Sequence, residues 1–273
     1  SSKSLLRSLQ WNLQAFLSHK DERNMHSITA GIIRSICETD SDVLILNEIH
    51  WREMENHNPN TNFYSAQQAI QNSQALLEEV LRLRGYRYSI IANHGDTPTM
   101  VATRKKVLRS KEVVLSCNRS ALCLLIQTDK YSKCWIVGTH LDAFDANVRR
   151  REISRLLQEP TSNIPVLIAG DFNHQRSRDY TPSEWMNVAS SADLRGVPLD
   201  DGVSSILESS GFQCVLDTVR CTSNNADRVK CNWNQNQPPP STHWSGTTID
   251  YTYFSNPNNT EDSNSTTTIA PHG

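Results

Sequence analysis

Nine short stretches of the chain have the length and the residue pattern of β-strands. Residues 8–14 alternate apolar and polar side chains, which is the period of a strand with one buried face. Residues 42–48, 134–141 and 164–169 carry continuous apolar runs, which indicate strands that are buried on both faces. Residues 246–254 are rich in β-branched and aromatic side chains. Shorter strands are predicted at residues 86–91, 99–103, 111–115 and 121–128.

Three stretches between these strands have the apolar period of amphipathic helices. The first, 24–38, places its isoleucines on one face, and the second, 64–84, is followed by Gly85 as a C-cap. The third, 146–158, is rich in arginine on its polar side. Helices separated by runs of strands favour an α/β fold with two β-sheets packed face to face and helices outside. We expect one such domain over residues 1–255.

Polar side chains stand at or near the ends of five of the predicted strands. Each alone has an ordinary explanation as a turn former or as a buried polar group with a hydrogen-bond partner. Five strands that deliver a polar group at a similar depth are not independent accidents, and α/β sheets carry their sites at strand ends. We therefore expect these side chains to converge. They are Asn12, Glu48, His140, the pair Asp171 and Asn173, and Asp250.

The same five segments resemble the motifs of the endonuclease/exonuclease/phosphatase superfamily, which includes DNase I. The family motifs are, in chain order, W-N, L-Q-E, T-H-L, G-D-x-N and R-I-D-Y. The matching segments here are Trp11-Asn12, Leu46-Asn47-Glu48, Thr139-His140-Leu141, Gly170 to Asn173 and Thr248 to Tyr251. Asn47 replaces the family's Gln, and Thr248 replaces its Arg. The resemblance runs from residue 8 to 254, and it leans toward the exonuclease III-like and tyrosyl-DNA phosphodiesterase members.

The resemblance implies a fold and a class of reaction. The fold is the four-layer α/β/β/α sandwich of two packed mixed sheets with outer helices, and the reaction is metal-dependent hydrolysis of phosphoester bonds. A phosphodiester repels nucleophiles through its charge, and Mg²⁺ neutralises such charge while preferring oxygen ligands. We expect Mg²⁺, with Mn²⁺ as an alternative. Glu48 is the expected direct ligand, and Asn12 beside it would supply a neutral oxygen.

The remaining polar residues have expected catalytic roles. Asp171 would orient or deprotonate the attacking water, and Asn173 would donate a hydrogen bond to a phosphoryl oxygen as charge builds there. His140 would donate to a phosphate oxygen or help to protonate the leaving group. By family analogy, Asp250 would orient a further His. Asn12 completes the catalytic set.

That further His belongs to a family signature that the sequence does not contain. The family closes with a strand opened by S-D-H, whereas residues 256–273 form a polar stretch that is interpreted as a flexible tail or loop. His272, the one His in this stretch, has no preceding Asp. We expect that the sequence stops short of the family's last strand; the alternative is a degenerate member.

Three side chains outside the strand ends are candidates for binding the substrate. Arg176 and Arg178 follow Asn173 closely and are placed for phosphate contact. Trp244 could stack on a base or a sugar, and a core position is an equal alternative. The arginines of residues 149–155 could also hold phosphates, although a solvated helix face is the simpler interpretation.

Composition excludes some classes of protein. A net charge of −2 argues against a generic polyanion binder, because non-specific duplex affinity comes from neutralising many phosphates. No run approaches the about 18 apolar residues of a membrane helix, so stable membrane insertion is not expected. The seven cysteines include no C-x-x-C pair that would suggest zinc. They favour a reduced, intracellular protein, although Cys221 and Cys231 could pair in an oxidising compartment. We expect a monomer.

Three functions therefore stay open at this stage. The first is a phosphodiesterase that acts on nucleic acid or on a protein–DNA adduct. The second is the same chemistry on a lipid or small-molecule phosphoester, for which these residues offer no membrane-docking segment. The third is a catalytically impaired binding module that lacks the family's last His. The convergence of the strand-end residues is the common requirement of the first two.

Overall fold

The computed structural model describes residues 6–13, 22–49, 63–128, 132–160, 163–195, 202–217 and 250–256. The strands are β1 (Ser8–Asn12), β2 (Val43–Asn47), β3 (Tyr88–Ile91), β4 (Met100–Thr103), β5 (Lys106–Val114), β6 (Ser120–Gln127), β7 (Lys133–His140), β8 (Val166–Asp171), β9 (Gln213–Cys214) and β10 (Asp250–Ser255). The helices are α1 (Glu22–Thr39), α2 (Phe63–Leu83), α3 (Ala146–Leu156), α4 (Pro182–Arg195) and α5 (Val203–Ser209).

The strands form two mixed sheets. The first sheet has the order β1-β2-β4-β3, and β1 and β2 are its one parallel pair of neighbouring described strands. The second has the order β5-β6-β7-β8-β10-β9, and β7 and β8 are its one parallel pair of neighbouring described strands. Because parallel strands β1 and β2, and likewise β7 and β8, end at the same edge of their sheet, the polar side chains that follow them are brought together.

Three apolar cores separate four layers. Helices α1 and α2 pack on the outer face of the first sheet, as Ile36 and Leu77 do against Leu46. Helices α3 and α5 cover the outer face of the second sheet. The third core lies between the sheets, where Ile45 of β2 meets Leu124 of β6. The predicted α/β/β/α sandwich is thus confirmed.

The alternation along β2 shows how the sequence specifies this layering. Leu44 and Leu46 face the helices, whereas Val43 and Ile45 face the other sheet. All four are completely buried. A strand between two cores needs apolar residues on both faces, which is the pattern that the sequence shows.

Some elements differ from the prediction. Strand β5 begins at Lys106, five residues before its predicted start. Helices α4 and α5 and the short strand β9 were not predicted. Helix α4 buries little of its apolar surface, since Met186 is 71% exposed while Val188 is buried. Residues 246–249, predicted to begin the last strand, and the tail from 257 onwards lie outside the described residues. None of the described helices combines the length and apolar content needed to cross a lipid bilayer.

Gly138 on β7 lets the two sheets approach closely, and we expect its replacement to be destabilising. A Cβ atom there would lie 2.7 Å from Cγ2 of Val101 and 3.1 Å from Cγ2 of Ile45, both on the facing sheet. Gly138→Ala should therefore lower the free energy of unfolding by about 1–3 kcal/mol, as overpacking does. Urea denaturation measures this change. In the control Gly31→Ala, the added Cβ meets nothing within 4 Å, so stability should not fall. Equal stability of both variants would contradict the close packing.

Candidate active site

Strand register places three of the predicted site residues in one row across the second sheet. His140 is paired with Asp171 in the parallel β7–β8 ladder, and Asp250 is paired with Asp171 in the antiparallel β10–β8 ladder. Gly170 makes the approach of β7 and β8 possible, because a Cβ atom at this position would lie 1.8 Å from the carbonyl oxygen of Thr139. The row lies where β7 and β8 end.

Asn12 connects this row to the first sheet. Its Nδ2 donates to Oδ2 of Asp171 at 2.9 Å and to Oε1 of Glu48 at 3.1 Å. One amide thus bridges the two carboxylates that the sequence placed on different strands. The convergence predicted for these residues is present in the structure.

Two residues of the site were not singled out from the sequence. Nε2 of Gln10 donates to Oδ1 of Asp250 at 2.6 Å, and Oδ1 of Asn47 accepts from the main-chain nitrogen of Asp171 at 3.1 Å. Asn47 is fully buried, and its Nδ2 donates to the carbonyl oxygen of Thr139 at 2.9 Å. The alternation of β1 does carry a signal for Gln10, since it shares the polar face of Asn12.

The main chain is strained at two of the candidate site residues. Glu48 has φ of 51° and Asn173 has φ of 48°, a left-handed conformation that residues other than glycine seldom adopt. Such conformations cost on the order of 1 kcal/mol or more and concentrate at functional sites. Asn173 is further held by its Nδ2, which donates to the carbonyl oxygen of Leu141 at 3.0 Å, while its main-chain nitrogen donates to Asp171.

The side chains of Glu48, His140 and Asp171 form a cluster that could hold a metal ion. One ligand atom from each lies within 4.8 Å of the others. Burial raises the pKa of Asp171 well above its usual range, and the nearby charges of Asp250 and Glu48 raise it further. A cation would offset this repulsion. Asn12 presents its amide nitrogen to the carboxylates, so it can become a ligand only if the amide turns to present its oxygen.

The environment of His140 favours the neutral imidazole. Burial lowers its pKa well below the usual value, and the charge of Arg119 lowers it further. Its Nε2 lies 3.7 Å from Oε1 of Glu48 and 3.9 Å from Oδ2 of Asp171. These contacts would be ion pairs only with a protonated ring, which the lowered pKa disfavours.

A family model covers most of the chain. The model of the Endonuclease/Exonuclease/phosphatase family matches residues 9–267. The chain belongs to this family. Its members are generally hydrolytic phosphoesterases, and they usually use a divalent metal. No curated protein matches the chain in sequence.

Solved structures of the family share the fold. A family protein from Beutenbergia cavernae superposes with a TM-score of 0.62 at 16% identity; the match covers 92% of this chain and 64% of that protein. TDP2 of D. rerio, complexed with a single-strand DNA product, gives 0.54 at 17% identity, covering 92% and 84%. The human Nocturnin catalytic domain with bound sulfate gives 0.54 at 19% identity, covering 92% and 81%.

The structure corrects the prediction that Arg176 contacts the substrate. Its side chain is 1% exposed, forms ion pairs with Asp179 and Asp217, and lies over the ring of Tyr251. Tyr251 belongs to the core under the outer helices, whereas its neighbour Asp250 points to the opposite face of the sheet. Arg176 therefore lies in the core on the far side of the sheet from the candidate site.

The structure describes the surroundings of two other arginines that were candidates for binding the substrate. Arg178 is half exposed and pairs with Glu208 and Asp217, so a substrate would have to compete with these carboxylates. Arg149, one of the helix arginines, is fully buried rather than solvated, and its Nη1 donates to the carbonyl oxygen of Asp142. Trp244, Cys221, Cys231 and His272 lie outside the described residues.

Proposed function

We propose that this protein is a phosphodiesterase that depends on Mg²⁺ or Mn²⁺ and acts on nucleic acid or on a protein–DNA adduct. The observation that carries the proposal is the convergence of Asn12, Glu48, His140 and Asp171, which come from four strand ends in two sheets. An intact cluster of this kind favours an enzyme over a non-catalytic module. Glu48 is the proposed metal ligand, and Asn12 joins it once its amide turns to present its oxygen.

The side chains have complementary tasks in hydrolysis. A bound divalent cation supplies positive charge that neutralises the phosphate. Asp171 is a buried carboxylate whose raised pKa suits it to accept a proton from water. Asn173 uses one amide hydrogen on Leu141, and its second amide hydrogen is proposed to stabilise a phosphoryl oxygen. His140 directs Nε2 toward the carboxylates and is the proposed partner of the phosphate or leaving group.

Asp250 is already held in place for a supporting role. Its Oδ1 accepts from Gln10, and its strand position lies directly opposite Asp171. We propose that Asp250 belongs to the catalytic set, beside Asp171. Together with Glu48, it also makes the site strongly negative without metal.

Two observations support nucleic acid as the substrate class. TDP2, one of the structural neighbours, is complexed with a single-strand DNA product. The net charge of −2 fits an enzyme that contacts few phosphates, such as those at a strand end, rather than a binder of long duplex.

A substrate panel tests the proposal. The protein is assayed with Mg²⁺, with Mn²⁺ and with EDTA on single-stranded DNA, duplex DNA, RNA, a 5′-tyrosyl oligonucleotide and sphingomyelin. We expect metal-dependent cleavage of a nucleic-acid substrate that EDTA abolishes. Cleavage of sphingomyelin alone would show that the substrate is a lipid phosphoester and not nucleic acid. If the folded protein turned over none of the substrates, the proposal that it is an enzyme would be rejected.

A further inference from the structure

Two loops that belong to different sheets pack together at one edge of the site. They are the β3–β4 loop (residues 92–99) and the β5–β6 turn (residues 115–119). Nε2 of His94 lies 3.0 Å from a carbonyl oxygen of the turn. A Cβ atom on Gly95 would lie 2.6 Å from the carbonyl oxygen of Asn118, so the two main chains are in direct contact. The position of one loop therefore fixes that of the other.

The contact continues through two side chains to His140. Nη1 of Arg119, in the turn, donates to Oγ1 of Thr97, in the loop. Oγ1 of Thr97 lies 3.3 Å from Nδ1 of His140. Pro98 is buried and restricts the main chain of Thr97 to extended conformations. Thr97 thus presents its hydroxyl oxygen to the imidazole.

This arrangement determines where the other ring nitrogen points. With Nδ1 held by Thr97, Nε2 faces Glu48 and Asp171. Loss of the contact at Nδ1 would leave the ring able to rotate, and a hydrogen bond to one nitrogen is the usual device for orienting the other. Neither Thr97 nor Arg119 belongs to the strand-end motifs.

We propose that Thr97 and Arg119 are positioning residues: Thr97 fixes the orientation of the His140 ring, and Arg119 fixes Thr97. The proposal rests on the phosphodiester hydrolysis proposed above, because it concerns the way in which His140 is presented to the substrate. The proposal also implies that the orientation of His140 depends on the contact between one loop of each sheet.

Matched substitutions test this role. Thr97→Val removes the hydroxyl at nearly constant volume, Thr97→Ser keeps it, and Arg119→Gln removes the charge. We expect kcat to fall by about 10- to 100-fold in Thr97→Val and Arg119→Gln, as for other orienting partners. KM should stay within about twofold, because substrate binding is not altered. Thr97→Ser should restore kcat, and Arg109→Gln, at an exposed position of β5, should match the wild type.

The outcomes separate this proposal from the proposed function. Full kcat in Thr97→Val beside an inactive Glu48→Gln would overturn the positioning role and leave the function intact. If the wild type cleaves no substrate, the ring ¹⁵N resonances of His140, assigned with His140→Gln, decide instead. Resonances displaced in Thr97→Val but restored in Thr97→Ser would support the positioning role, and unchanged resonances would overturn it. Thermal unfolding confirms that each variant is folded.

Discussion

Glu48→Gln is expected to reduce phosphodiester turnover by roughly 10³-fold, which corresponds to about 4 kcal/mol of transition-state stabilisation. The substitution keeps the shape of the side chain but removes its charge. A neutral amide is a weaker ligand for a hard cation than a carboxylate, so Mn²⁺ affinity should fall as well. Turnover at saturating metal and Mn²⁺ binding by electron paramagnetic resonance measure the two effects separately.

The matched control is Glu78→Gln, which makes the same chemical change at an exposed position of α2. It should leave turnover and metal affinity at wild-type levels. If Glu48→Gln bound Mn²⁺ normally and remained fully active, the metal site would have to lie elsewhere in the protein.

Asp171→Asn is expected to lower turnover by roughly 10²- to 10⁴-fold, because it removes the proposed base. The same substitution should stabilise the metal-free protein. The raised pKa of Asp171 means that the folded state binds the proton more tightly than the unfolded state does. The wild type therefore loses stability as the pH rises above the usual carboxyl range, whereas the amide does not. At neutral pH without metal, Asp171→Asn should melt a few degrees higher.

Asp40→Asn provides the contrasting control. Hydrogen bonds from Arg104 and Arg7 lower the pKa of Asp40, so its ionised form is favoured by folding. Its replacement should not raise the melting temperature. A lower melting temperature for Asp171→Asn at neutral pH, measured by calorimetry in EDTA, would contradict the repulsion within the site.

The layers of the fold and the strand-end residues could be predicted from the sequence because both follow from local patterns. The doubly apolar run of β2 identifies a strand between two cores, and each polar side chain at a strand end is visible in its own segment. Equal depth along several strands then predicts convergence. Asn12, Glu48 and Asp171 meet in the structure for this reason.

Other features depend on contacts between segments that are distant in sequence. Arg176 follows the G-D-x-N motif within a few residues, yet the chain turns under the sheet and buries it against Tyr251. Thr97 and Arg119 carry no distinctive pattern, and their proximity arises only when two loops pack together. Helix α4 lacks the continuous apolar stripe by which a helix is recognised in a sequence.

The hydrogen bond from Asn12 to Asp171 joins candidate catalytic residues of the two sheets. The reactive groups are divided between two sheets that pack against each other through an apolar core, and hydrogen bonds such as those of Asn12 and Asn47 join the sheets at the site. A mutation in the core between the sheets, such as at Ile45 or Leu124, should therefore lower activity as a mutation of the active site does. Loss of activity on heating should likewise coincide with separation of the two sheets. We expect no partially active intermediate.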